Sequence, residues 1–170
     1  MVTLANINVW GRKAATVLWN DATQSAVFEY ERDFERSGLR QLHLPYSQAE
    51  EMFRRMVFNV VSRNQDDHTK NISFLMTPDG KWRLSPAYDV SWAYNPKGEW
   101  TSQHQMSING KWTAITRADL MAVAANMHIN RPEEIIEQVQ DAVAAWPEAA
   151  LKVSIPDDIM HMIQQTHLFV

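Results

Sequence analysis

Residues 64–71 read NQDDHTKN and residues 85–89 read SPAYD. Between them the tetrapeptide Thr77-Pro78-Asp79-Gly80 carries the proline, aspartate and glycine of a tight turn, flanked by apolar-rich runs at 71–76 and 81–84. The stretch therefore predicts a polar loop, a β-hairpin and an aspartate, in that order. Immediately upstream, Met52, Phe53, Met56, Val57, Val60 and Val61 recur at the i, i+1, i+4, i+5 spacing of a buried helical stripe. Ser47, with Glu50 three residues on, matches a capping box, which contributes about 1 kcal/mol. The polar loop is thus expected to hang from a buried helix ending near Arg63.

Towards the N-terminus, runs at 4–10, 14–19 and 26–30 are rich in Val, Ile and aromatic residues and are broken by Gly11-Arg12 and Asn20-Asp21. They predict a meander of three strands, with Val27, Glu29 and Glu31 opposite Phe28 and Tyr30 on the last. Residues 32–46, with Gly38 and Pro45, have no sustained periodicity. The boundary between a β-rich part (1–40) and a second part (45–170) is placed there. Beyond the hairpin, 85–111 reads as a long loop with a short strand at 105–108. Thr116 is expected to cap a helix over 117–127, and Asn130 to cap one with Pro132 in its first turn, burying Ile135, Ile136, Val139, Val143 and Trp146. Pro147 should kink or end that helix, and 156–166 forms a last helix with Ile159, Met162 and Ile163 as its stripe. The expected fold class is α+β: a short N-terminal β-meander followed by a mainly helical part that carries the hairpin.

With 45% apolar and 21% charged residues the chain can bury a core, and a net charge of −4 supplies no global attraction to nucleic acid or anionic lipid. The absence of cysteine excludes disulfides, thiolate zinc sites and thiol nucleophiles. No apolar window approaches a membrane span and the start carries no leader pattern, so a cytoplasmic location is expected. His68, His104, His128 and His161 do not fall at zinc-ligand spacings, so a histidine metal site has little support.

Phosphoryl transfer requires a carboxylate to orient an acceptor hydroxyl, and an amide oxygen with a second carboxylate to hold magnesium on nucleotide phosphates. Asp66 and Asn71 stand at D-x-x-x-x-N spacing, and the hairpin returns the chain so that Asp89 can rejoin Asn71. Taken singly, each has a plainer role: Asp66 and Asp67 as turn formers, Asn71 at a strand start, Asp89 in a turn, His68 as a surface residue. The order of helix, polar loop, hairpin and aspartate is what is specific.

FNVVSRNQDDHTKNISFLM, the turn and WRLSPAYDV together resemble the C-terminal lobe of HipA-like serine/threonine kinases. In that family an Asn-x-Asp-x-His-x-Lys-Asn stretch is the catalytic loop and a Ser/Thr-Pro-x-Tyr-Asp stretch carries the metal-binding aspartate. The resemblance runs from about Leu44 onward and implies that Asp66 is the catalytic base. It implies that His68, Lys70, Asn71, Tyr88 and Asp89 contact ATP or its Mg2+, with Asn71 and Asp89 on the metal, and that Asn64 orients the loop. Residues 3–38, with ANINVWGRKAATVLW, are similar to the opening of the family's N-terminal subdomain. On that footing the two ends of such a kinase meet between Leu39 and Pro45.

Glycines at 11, 38, 80, 98 and 110 leave no glycine-rich phosphate loop, and no lysine sits in a strand of the VAIK type. The nucleotide lobe is thus expected to be missing, and the activity of the chain alone to be weak or absent. By analogy with the family, an antitoxin-like (HipB-like) DNA-binding protein is the expected partner, and an aminoacyl-tRNA synthetase the expected protein substrate. The competing reading is a non-catalytic module that keeps the kinase lobe as a scaffold for docking such a partner.

Overall fold

A computed structural model describes residues 2–9, 12–20, 25–30 and 46–170, with side chains from residue 48 onward. Two units divide the chain: Met1–Leu44 with Phe74–Arg83, and Pro45–Ser73 with Leu84–Val170. The class is α+β, as the sequence predicts.

In the first unit β1 (Val2–Val9), β2 (Arg12–Asn20) and β3 (Ser25–Tyr30) form an antiparallel sheet in chain order. Val2 pairs with Asn20 and Ala15 with Tyr30, and the register shifts at Ile7/Asn8. The facing of Val27 to Glu31 lies outside the described side chains, as does any cap by Ser47. A hairpin joins β4 (Phe74–Met76) to β5 (Trp82–Leu84). Its turn closes through Thr77 N–H to the Lys81 carbonyl at 2.9 Å and Gly80 N–H to the Thr77 carbonyl at 2.8 Å. Gly80 has φ 83, a backbone region open to glycine at no steric cost.

The second unit is built on α1 (Tyr46–Ser62) packed against α3 (Pro132–Ala144), with α2 (Arg117–Asn126), α4 (Trp146–Lys152) and α5 (Asp157–Gln164) around them. Phe53, Val57, Val60 and Val61 are fully buried against Leu120, Ile136, Val139 and Val143. Each such side chain contributes about 1.5–3 kcal/mol relative to exposure. The buried spacing on α1 is the predicted one. Met52 and Met56, predicted in the same stripe, are half-buried at its edge.

Several boundaries differ from expectation, each for a local reason. The strand expected from residue 71 starts at Phe74, because Thr69–Asn71 coil into a 3-10 turn in which Asn71 N–H donates to the His68 carbonyl at 3.0 Å. No strand covers 105–108; Ile108 and Lys111 make one isolated bridge around Asn109 and Gly110, both at positive φ. Arg131, not Asn130, precedes α3, with φ 49. α3 ends at Ala144, just ahead of Pro147 as one of the two expected outcomes has it, and Pro147 stands in the first turn of α4, where a proline forfeits no helical hydrogen bond. On α5 the buried residues are Met160 and Ile163, whereas Ile159 and Met162 are exposed. Among the described residues no helix is long and apolar enough to cross a membrane.

Candidate functional site

The polar loop begins where α1 is stopped. Arg63 adopts the left-handed conformation, φ 61, so that its N–H donates to the Val60 carbonyl (3.4 Å) and Asn64 N–H to the Asn59 carbonyl (3.0 Å). This is the Schellman arrangement, which satisfies the last helical carbonyls. A non-glycine residue there costs about 1–2 kcal/mol. Offsetting contacts come from the side chain: Arg63 Nε donates to the Thr166 carbonyl at 2.9 Å, and the guanidinium lies 4.6 Å from the Tyr94 ring centroid.

From Arg63 the chain runs parallel to the segment that follows Asp89. Ala93 N–H donates to the Arg63 carbonyl (3.1 Å) and Gln65 N–H to the Ala93 carbonyl (3.0 Å). Asn64, 3% exposed, donates through Nδ2 to Asn59 Oδ1 at 3.0 Å and to the Asp89 carbonyl at 3.5 Å. The hairpin's return is sealed by Ser85 N–H to the Ser73 carbonyl at 2.9 Å. Residues 25 apart in sequence are thereby held side by side.

Asn71 folds back on the loop and donates through Nδ2 to the Asp66 carbonyl at 2.9 Å, which accounts for the D-x-x-x-x-N spacing. With Nδ2 so engaged, the amide oxygen is the end of Asn71 left for a ligand. Tyr88 donates its hydroxyl to the Lys70 carbonyl at 2.8 Å. Asp89 sits at φ 53, a region that Asp tolerates better than most residues. The Asp66 carboxylate is half-exposed, and His68 Nε2 lies 4.0 Å from its Oδ1.

A cavity of about 200 Å³ lies between α1, the loop and the post-hairpin segment. His68, Asn71, Tyr88 and Asp89 line it together with Asn59, Asn64 and Asp67, and Met52, Met56, Met106, Ile108 and Met127 form its apolar side. Four of the six residues expected to act on acceptor, nucleotide or metal therefore meet at one cavity, with Asn64, expected to orient the loop, beside them. Asp66 and Lys70 do not line it. His68 Nδ1 is buried there with no hydrogen-bond partner. Asn71 and Asp89 offer only hard oxygen donors, which suits magnesium, a cation that takes one or two protein ligands with phosphate and water. Among the described residues no group of three or more His, Cys, Asp or Glu gathers to hold a metal.

Sequence reasoning missed two further features of this site. One is Asp67, which turns inward to His104 Nδ1 (2.8 Å) and accepts from Gln105 N–H (2.7 Å). The doubled aspartate was the only hint, and nothing local points to a partner 37 positions away. The other is Asn59, whose amide on the last turns of α1 orients Asn64.

The sequence model of the HipA-like C-terminal domain family matches residues 14–146. That span contains the helix α1, the loop, the hairpin and Asp89. No curated protein sequence matches the chain.

Proposed function

Since the chain belongs to the HipA-like C-terminal domain family, we propose that it carries the catalytic-loop half of an ATP-dependent serine/threonine protein kinase. The observation that carries this reading is the convergence of His68, Asn71, Tyr88 and Asp89 on one cavity, beside a loop closed by Asn71 on Asp66.

In this reading Asp66, its carboxylate half in solvent, orients and deprotonates the acceptor hydroxyl of a protein substrate. Asn71 and Asp89 are the residues that would hold Mg2+, and His68, Lys70 and Tyr88 those that contact the nucleotide. Bound Mg-ATP supplies the phosphoryl group and screens its charge. Tyr88, fixed on the Lys70 carbonyl, keeps the two halves of the site in register. The sequence contains no glycine-rich phosphate loop, so the chain alone transfers phosphate weakly.

Incubation with labelled ATP and magnesium, for the wild type and Asp66→Ala, tests the proposal. Label on the wild type at least about a hundredfold above the variant is expected, within the range lost with a general base. Equal labelling, or none even with a nucleotide lobe supplied in trans, would overturn it.

A second reading is favoured by one observation: Leu151, Val153, Ile159 and Met162 are all exposed on or beside α4 and α5. In it the helical surface docks an antitoxin-like DNA-binding protein, and catalysis is dispensable. Such a partner would be retained equally by the wild type and by the combined Asp66→Ala, Asn71→Ala, Asp89→Ala variant.

A further inference from the structure

Asp67 and His104 are withdrawn from solvent almost completely, at 3% and 1% exposure. His104 Nδ1 meets Asp67 Oδ2 at 2.8 Å, and the next residue, Gln105, donates its backbone N–H to Oδ1 at 2.7 Å. Two consecutive residues of the long loop thus occupy both oxygens of one buried carboxylate. A carboxylate buried without such partners is strongly unfavourable, so Asp67 cannot turn outward while the pair exists.

The anchor is itself held. His104 N–H donates to the Trp112 carbonyl at 3.1 Å, and Ile108 and Lys111 exchange backbone hydrogen bonds at 2.8 and 3.0 Å. Lys111 Nζ and Asn109 Nδ2 both end on Asp119, in the first turn of α2, at 2.8 and 2.9 Å. A continuous set of contacts therefore runs from α2 to the loop. Its last link touches the residue next to Asp66.

The neighbours Asp66 and Asp67 face opposite ways: one carboxylate is 49% exposed, the other 3%. Fixing Asp67 inward fixes Asp66 outward and anchors the start of the Thr69–Asn71 turn. Only one ring nitrogen of His104 takes part, because Nε2 is buried with no partner. We propose that His104 is a positioning residue: through Nδ1 and Asp67 it holds the Asp66 carboxylate and the Asn71 turn in the arrangement that phosphoryl transfer requires. This rests on the kinase reading above.

The two nitrogens give the test its discrimination. In the full chain, His104→Asn places an amide where Nδ1 stands, His104→Gln places it where Nε2 stands, and His104→Phe keeps the ring without either nitrogen. Hydrogen exchange of the Asn71 and Ile72 amides is measured beside phosphoryl transfer, the Mg-ATP dissociation constant and the melting temperature. His104→Asn is expected to stay within about threefold of the wild type throughout. His104→Gln and His104→Phe should exchange about tenfold faster and transfer phosphate about tenfold more slowly, with the Mg-ATP constant within about threefold, as misplacement rather than lost binding predicts. If the Phe variant does not fold, Asn against Gln decides. Any ranking in which Asn does not surpass both others overturns the proposal, as does ordered exchange with unordered transfer. A wild type that transfers no phosphate even with a nucleotide lobe supplied in trans refutes the kinase reading separately, and the exchange ranking then still judges the clamp.

Discussion

Arg63 and Asp89 share an unusual backbone, φ 61 and φ 53, on the two chain segments that meet at the site. At Arg63 the conformation is tolerated because the side chain has two partners, the Thr166 carbonyl and the face of Tyr94. Arg63→Ala keeps the strain and loses both contacts, so unfolding in urea should show a loss of about 1–3 kcal/mol. Arg63→Gly also loses them but relieves the backbone, and should lie about 1 kcal/mol above the alanine variant. At Asp89 the side chain matters for its charge. Asp89→Asn retains a residue that accepts positive φ, so its melting temperature should match the wild type, while Mg-ATP binding measured by calorimetry weakens about tenfold or more.

Asp119 is the hub between the loop and α2. Its carboxylate accepts from Lys111, Asn109 and both the hydroxyl and N–H of Thr116, and these hold its pKa well below the usual carboxylate range, Lys111 foremost. A depressed folded-state pKa means stabilisation that is complete above the unfolded value and is lost as pH falls towards the folded one. The melting temperature of the wild type should therefore drop below about pH 4, and Asp119→Asn should start lower at pH 7 and show a shallower acid limb. The position of α2 was legible from Thr116, and that of α1 from the spacing of Phe53, Val57, Val60 and Val61, because periodicity and capping are local signals. The end of α3's N-terminal cap and the extent of β4 were not, since Arg131 and Asn71 owe their conformations to a single φ and to a 3-10 hydrogen bond. For the site, Asn71 and Asp89 could be named from motif order, and His68 and Tyr88 only from the resemblance to the HipA-like family. The Asp67–His104 pair could not, because both residues look like ordinary loop polar groups until burial brings them together.

Across the second unit, core and cavity are one construction. Ile108, 2% exposed, belongs to the buried cluster of α1, α2 and α3 and also lines the cavity that His68 and Asp89 share. Ile108→Ala should thus act twice: chemical denaturation should report a loss of about 2–5 kcal/mol, and Mg-ATP affinity should fall although no polar group is altered. Leu120, equally buried but away from the cavity, should lose comparable stability on Leu120→Ala with the affinity of the folded fraction unchanged. The long loop adds a practical property of its own. Trp100 and Trp112, 65% and 49% exposed, flank His104 on either side in sequence, and their carbonyls accept from Gln105 Nε2 and His104 N–H. Two of the chain's seven indoles are thus solvent-facing and tethered to the segment that grips Asp67, so the share of iodide quenching of tryptophan emission that Trp100→Phe and Trp112→Phe remove offers an optical gauge of that segment, without any label being attached.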